Sequence, residues 1–365
     1  MLNWRDPRNP LAGGAERVSL AFLRGLVERG HEVEWFAFDH AGADPEERIE
    51  GVRIHRAGGV FTSVLAARRW YRRQPRFDLV IDQHHGIPWY APWWCRTHCL
   101  AYIHEVLGPI WRSFYRWPTC EFGRFQERAT HWLYRNVPFW VPSESTRAGL
   151  LRHGVRQVVV FPNGVDVEPL PALPEKRVTG EELRLVTVSR LAPNKRVAHA
   201  VDVLRILRGR GVRGVLTIVG DGSELPALRA KVAQLGLGAW VRFVGYRPEA
   251  EKLSCLAESH VLLHPSVREG WGLNVIEANA MGTPAVVYPV GGLVDSTVDG
   301  ETGCVSPAET PEAMAESVFW LVAEEARFQR IREGAWRRSR GFLWARVVPP
   351  VAGFLERLAH GQKLV

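Results

Sequence analysis

The sequence predicts an α/β protein made of two doubly wound parallel-sheet domains in tandem. Three observations carry this expectation. The 365 residues exceed the roughly 250–300 at which a single core stops growing. Strand and helix patterns alternate in two separate runs. Between the runs lies "DVEPLPALPEKRVTGEEL" (Asp166–Leu183), rich in proline and charge and so read as a connection. The boundaries drawn are residues 1–165, a linker over 166–182, a second domain over 183–343, and a final helix over 344–365.

In the first run, "AERVSLAFLRGLVERG" (Ala15–Gly30) places Val18, Ala21, Phe22 and Leu26 at helical spacing and stops at Gly30. Strands are expected at His31–Phe38, Val52–Ala57, Phe77–Gln83, Cys99–His104, Pro138–Ser143 and Val158–Gly164. A doubly wound domain should open on a strand, yet only Met1 and Leu2 precede Asn3–Trp4. Either that strand is vestigial or the recorded start lies inside the true one, and the second reading is favoured.

In the second run, strands are expected at Leu183–Leu191, Val215–Gly222, Val241–Tyr246, His260–Ser266, Pro284–Gly292 and Gly303–Pro307. Helices are expected at Val197–Arg210, Ser223–Leu235 and from about Leu273. A cleft between two such domains is the natural ligand site.

Composition narrows the classes. A hydrophobic share of 46% and a charged share of 24% suit a soluble globular enzyme. Five scattered cysteines argue against a disulfide framework and for a reducing, cytoplasmic compartment. No leader pattern and no spanning apolar run are present.

The net charge of +8 is unevenly placed, with no lysine before Lys176. Arginines instead alternate with aromatic residues in "RRWYRR" (Arg68–Arg73) and through Gly108–Arg135. On a helix, Arg68, Arg69, Arg72 and Arg73 share one side, opposite Val64, Ala67, Trp70 and Tyr71. The face reads either as a solvated side of a core-packed helix or as a membrane-surface or anionic-acceptor face. No nucleic-acid-binding motif accompanies it, so nucleic acid is not expected as a partner.

Several chemistries are disfavoured. In "VGDGSEL" (Val219–Leu225) the third glycine of a dinucleotide fingerprint is replaced by Leu225. Cys95, His98 and Cys99 fit no usual zinc spacing, and neither G-x-S-x-G nor D-x-D occurs at a site, so no metal and no cofactor are expected.

A diphosphate site without metal remains. Arg190 and Lys195 in "SRLAPNKR" follow a strand end, where open parallel sheets bind ligands, and two cations there neutralise a diphosphate. In "SVREGWGLNVIEANAMGTP" (Ser266–Pro284), Gly270 and Gly272 bracket Trp271 ahead of a helix starting near Leu273, whose N-terminus favours an anion. Glu269 and Glu277, with seven residues between them, suit sugar and ribose hydroxyls respectively. Each glutamate alone would read more readily as a helix cap or a surface charge, and it is the company of Arg190, Lys195 and the glycines that favours a ligand.

These residues resemble the E-x7-E motif of retaining GT-B glycosyltransferases of family 4. "NPLAGGAERV", "GHEVEWF", "PNGVD", "SRLAPNK", "GDGSEL", "FVGY" and "GETGCV" resemble that family's further segments in the same order. The resemblance implies two Rossmann-like domains, the second binding a nucleotide-diphosphate sugar and the first receiving the acceptor. It assigns Arg190 and Lys195 to the diphosphate, and Gly13 and Gly14 to an approach of the first loop to the phosphates. Glu269 and the backbone of Gly270, Trp271, Gly272 and Leu273 are assigned to the sugar, Glu277 to the ribose, and Tyr246 to the nucleotide side. His104 matches an active-site histidine that hydrogen-bonds the sugar. Retention without divalent metal is implied, by front-face attack with the leaving phosphate as base. The acceptor is not named by the sequence, and a lipid-linked or membrane-surface molecule is one expectation.

Two departures stand out. Pro349–Pro350 should kink the last helix, which in the family braces the first domain. The aromatic segment Gly108–Arg135 matches no acceptor signature. Alternatives kept open are a GT-B epimerase or phosphorylase, and a non-catalytic nucleotide-sugar or membrane-surface binding module.

Overall fold

The computed structural model describes residues 1–60, 62–180 and 182–362. Glu181 of the expected linker and positions 363–365 of the expected final helix lie outside the described residues. The chain divides into two compact units. The first comprises Met1–Gly108, Pro118–Gly164 and the chain from Trp344; the second comprises Pro109–Trp117 and Val165–Leu343.

In chain order up to residue 160 the elements are α1 (Gly14–Glu28), β1 (Glu34–Ala37), β2 (Glu46–Ile49), β3 (Val52–Arg56), α2 (Ser63–Tyr71), β4 (Leu79–Gln83), β5 (His98–Tyr102), α3 (Ile110–Phe114), α4 (Thr119–Leu133), β6 (Phe139–Val141), α5 (Glu144–Arg152) and β7 (Val158–Val160). The strands form two sheets, ordered β1-β3-β2 and β4-β5-β6-β7. Leu2 bridges parallel to both Phe36 and Asp82, so residues 1–3 lie between β1 and β4 where the opening strand belongs. The short β2 pairs antiparallel with β3; its polar sequence EERI gave no strand signal, and its partly exposed edge position explains why.

The second unit contains β8 (Leu183–Val188), α6 (Val197–Gly209), β9 (Gly214–Val219), α7 (Leu225–Gln234), β10 (Val241–Gly245), α8 (Glu249–Glu258), β11 (Val261–His264), α9 (Leu273–Ala280), β12 (Ala285–Val287), α10 (Leu293–Ser296), β13 (Gly303–Val305), α11 (Pro311–Val322) and α12 (Glu325–Ser339). Its strands are all parallel, in the order β10-β9-β8-β11-β12-β13. This is the 3-2-1-4-5-6 order of a doubly wound sheet, with its switch point between β8 and β11. Val186, Leu216, Leu262 and Val286 are fully buried, as parallel strands covered on both faces require.

Two expectations about connections change. Residues 166–182 are part of the second unit rather than a free linker. Lys176 is buried there, and its ammonium donates to the Ser259 carbonyl at 2.5 Å and to Thr283 Oγ1 at 3.0 Å. Residues 109–117 join the second unit because α3 packs on the turn Pro193–Lys195.

The last helix, α13 (Trp344–Ala359), runs continuously through Pro349 and Pro350. Both prolines are exposed, so the carbonyls they leave unpaired are open to water, while Val347, Val351, Phe354, Leu355 and Leu358 hold the buried face. It packs on α1, where Gly25 is small enough to admit Val348 and Phe22 meets Trp344 edge-on at 5.2 Å.

Arg29 grips Glu356 with two hydrogen bonds, of 2.7 and 3.0 Å, and His31 adds a third contact at 3.0 Å. Arg29 first, then His31, holds the Glu356 carboxyl down to about 2. A depressed carboxyl contributes stability above its unfolded value, about 4.3, and loses it as pH falls toward the folded value. Glu356→Gln should therefore lower the melting temperature slightly at neutral pH, and the gap to the parent should shrink steadily below about pH 4.

Candidate functional site

The switch point of the second sheet lies between the paired strands β8 and β11, and the loops that follow their C-terminal ends are where sheets of this kind bind ligands. The chain after β8 carries Arg190 and Lys195; the chain after β11 carries Glu269 and leads into α9. Lys195 Nζ lies 2.5 Å from Glu269 Oε1, and both side chains are only partly accessible. His264, the last residue of β11, is buried with its Nε2 3.7 Å from the same carboxylate oxygen.

Burial alone would raise the Glu269 carboxyl, but the Lys195 charge, reinforced by the Lys195 hydrogen bond, outweighs it and holds the group below its ordinary range. Burial pushes His264 down to about 4, so it is neutral at neutral pH and Lys195 is the ionic partner of Glu269.

Two glycine turns hold these loops. Gly220 (φ +129°) and Gly222 (φ +155°) of the GDG segment abut the loop after β8, where an added Cβ would stand 1.9 Å from the Ser189 carbonyl oxygen and 2.4 Å from that of Leu191. Leu191 N–H donates to the Asp221 carbonyl at 2.8 Å, and Glu224 N–H to the Leu191 carbonyl at 3.0 Å. These glycines therefore serve a backbone contact that fixes the Arg190 loop. Sequence reasoning missed the second turn. Gly292, after β12, has φ +82°, and a Cβ there would meet the Glu269 carbonyl oxygen at 2.1 Å. Glu269 N–H donates to the neighbouring Gly291 carbonyl at 3.1 Å.

The remaining predicted residues of this unit are placed as follows. The Arg190 guanidinium is exposed and has no ion-pair partner among the described residues. Gly272 caps α9 in the left-handed region (φ +84°), and α9 begins at Leu273 as the sequence predicts. Asn274 in the first turn donates to the Val188 carbonyl at 2.7 Å, tying α9 to the end of β8. The Trp271 side chain is buried against Val165, Ile276 and Phe342, so its indole is a packing group and only its backbone is available to a ligand. Glu277 is buried and receives a hydrogen bond of 2.8 Å from Lys252 of α8. Tyr246, just past β10, is 79% exposed. Lys195 is followed by Arg196 at φ 48°, a left-handed conformation uncommon outside glycine and asparagine and a mark of a tightly held loop.

In the first unit, His104 follows β5 and is buried, with Nε2 2.9 Å from the Gln83 carboxamide. The other end of that carboxamide lies 2.8 Å from Ser19 Oγ of α1. Burial holds His104 well below the usual imidazole range, so it is neutral. Gln83, which the sequence did not single out, fixes the ring between α1 and β5. Gly13 precedes α1 and its N–H donates to Glu16 at 2.7 Å, while Gly14 opens the helix.

The chain matches two family models in succession, Glycosyltransferase Family 4 over residues 12–169 and Glycosyl transferases group 1 over residues 172–338. It is 30% identical over 252 residues to the glycogen synthase of Mycobacterium tuberculosis. That match covers 68% of this chain and 61% of the relative's length. Among solved structures it is similar to sucrose-phosphate synthase from Thermosynechococcus elongatus, with a TM-score of 0.78 and 20% identity over 96% of this chain and 94% of that one. It is also similar to Anabaena HepE in complex with UDP and glucose, with a TM-score of 0.76 and 17% identity over 97% and 98% of the two chains. At these identities the structural likeness establishes the fold. Together with the two family models and the ordered motifs, it makes this chain a member of the family-4 type glycosyltransferases, with the GT-B fold.

Proposed function

We propose that the protein transfers a sugar from a nucleotide-diphosphate donor to an acceptor, with retention of anomeric configuration and without a divalent ion or cofactor. The carrying observation is the Lys195–Glu269 pair at the switch point, beside the N-terminus of α9. An ammonium has three N–H donors. Glu269 occupies one, which leaves two for oxygens of the departing diphosphate. Arg190 supplies a second positive charge, and the first N–H groups of α9 a third anion-binding element.

These groups are preorganised where charge develops as the glycosidic bond breaks. Glu269 accepts hydrogen bonds from sugar hydroxyls, Glu277, oriented by Lys252, from ribose hydroxyls, and Tyr246 stands on the nucleotide side. In the first unit, neutral His104 is assigned to a sugar hydroxyl and the Gly13–Gly14 turn to the phosphates. The HepE complex with UDP and glucose supports a nucleotide-sugar donor class.

A panel of nucleotide-diphosphate sugars should single out one donor that raises the melting temperature. Saturation at about 100 times Kd corresponds to about 2.7 kcal/mol of added stability. The same donor should yield a glycosylated acceptor, or slow release of nucleoside diphosphate, in the presence of a chelator. No stabilisation by any donor, or turnover abolished by chelation, would overturn the reading.

A further inference from the structure

Two stretches of similar arginine and aromatic composition behave oppositely in the fold. On α2, Trp70 and Tyr71 pack inward with Phe77, while Arg68, Arg69, Arg72 and Arg73 are exposed, which makes this a solvated basic face. On α4 the aromatic residues face out. Phe122 and Phe125 are each 70% exposed and Trp132 is 59% exposed, with Leu133 beside them. The inward face of α4 is built instead from Cys120, Gly123, Glu127, Thr130 and His131.

At 3.6 residues per turn, Phe122, Phe125, Ala129, Trp132 and Leu133 fall within an arc of about 100°. The three rings alone expose about 400 Å², taking roughly 200 Å² for a whole aromatic side chain. The loop after β4 extends the patch. Gln126 donates to the Gly86 carbonyl at 3.0 Å, and exposed Trp93 meets Tyr134 at 4.9 Å. A contiguous patch of this size on a soluble domain marks an interaction surface.

The charges at its border identify the partner. Arg128 is exposed along one edge of the stripe, and Arg135 lies two residues past the helix end, its guanidinium 4.2 Å from the Trp132 ring centroid. The acidic residues of α4 do not offset them. Glu121 is paired with Arg124 at 2.8 Å, and Glu127 is buried, accepting from the backbone N–H of Leu107 and Gly108. We infer that α4 and the adjoining loop form a docking face for an anionic lipid bilayer, with α4 lying in the headgroup plane. Tryptophan and phenylalanine suit that depth, and an arginine border complements anionic headgroups. No helix among the described residues is long and apolar enough to cross a membrane, so the association is in-plane. A second copy of the chain fits less well, because a two-fold contact would bring the two positive borders together.

Sedimentation of the full chain with vesicles tests this without any turnover, so its failure is separable from failure of the donor reading. Binding is expected to vesicles enriched in phosphatidylglycerol, to be weak on phosphatidylcholine alone, and to fall with salt as charges are screened beyond about 10 Å at 0.1 M. F122S/F125S should reduce the bound fraction at least about tenfold with an unchanged circular dichroism spectrum, since both rings are exposed. Arg128→Glu should weaken binding to the anionic vesicles only. Absence of binding to either vesicle, or equal binding by F122S/F125S, overturns the inference. So does a concentration-dependent dimer in light scattering that the same variant abolishes while vesicle binding is unaffected.

Discussion

Lys195→Met should lower kcat by roughly 10²–10³-fold, the range seen when one preorganised charge-stabilising donor is removed. The loss should exceed any change in KM, because in the proposed reaction the ammonium would act on charge that grows only as the bond to a leaving diphosphate breaks. A second consequence follows from the burial of Glu269. Lys195 is the charge that outweighs that burial, so without it the carboxyl rises and becomes protonated closer to neutral pH. The acid limb of the activity profile should shift upward in Lys195→Met.

Glu269→Gln separates the two partners. It keeps an oxygen for Lys195 but drops the negative charge, so inhibition by free nucleoside diphosphate should hold or tighten while kcat falls by roughly 10–100-fold. Steady-state kinetics with nucleoside diphosphate as inhibitor checks both. Turnover within about threefold of the parent in Lys195→Met would sink the assignment.

The pattern of strands explains how much of this was readable. β8, β9, β11 and β12 are short apolar runs bounded by turn residues, and each appears where the sequence places it. The start of α9 at Leu273 was legible because Gly272 must supply a left-handed cap. Arg190, Lys195 and Glu269 were nominated from their places after strand ends, and the structure pairs Lys195 with Glu269 and leaves Arg190 exposed.

What was hidden depends on partners far along the chain. Glu127 points inward on α4 because the backbone N–H groups of Leu107 and Gly108 need an acceptor there, and His131 because its ring meets that of His153. No apolar periodicity marks such a face, so the outward aromatics could not be told from the inward pair Trp70 and Tyr71 on α2. The stretch 166–182 has the composition of a linker, yet Lys176 finds its carbonyl partners on residues more than eighty positions away. Gly292 was equally silent, since nothing local says that its Cβ position is filled by Glu269.

Gly292→Ala should disable the site through the backbone rather than through any lost side-chain contact. The added methyl would stand 2.1 Å from the Glu269 carbonyl oxygen, 2.6 Å from its carbon and 2.9 Å from the carbonyl carbon of Gly270. Backbone atoms cannot swing aside as a side-chain end can, so the turn that carries Glu269 must shift. A displacement of about 1 Å at a positioning group costs on the order of 10²-fold in rate.

The left-handed backbone adds its own penalty, about 1–2 kcal/mol for a residue with a Cβ. Gly300→Ala isolates that term, because Gly300 has φ +71° with nothing within 4 Å of the added carbon. Gly300→Ala should therefore lose about 1–2 kcal/mol of stability and keep its turnover. Gly292→Ala should lose more stability and, in the fraction that remains folded, most of its activity. Thermal melts paired with turnover per folded molecule distinguish the two. If both variants behave alike, Gly292 only shapes a loop, and the geometry of Glu269 does not depend on the turn after β12.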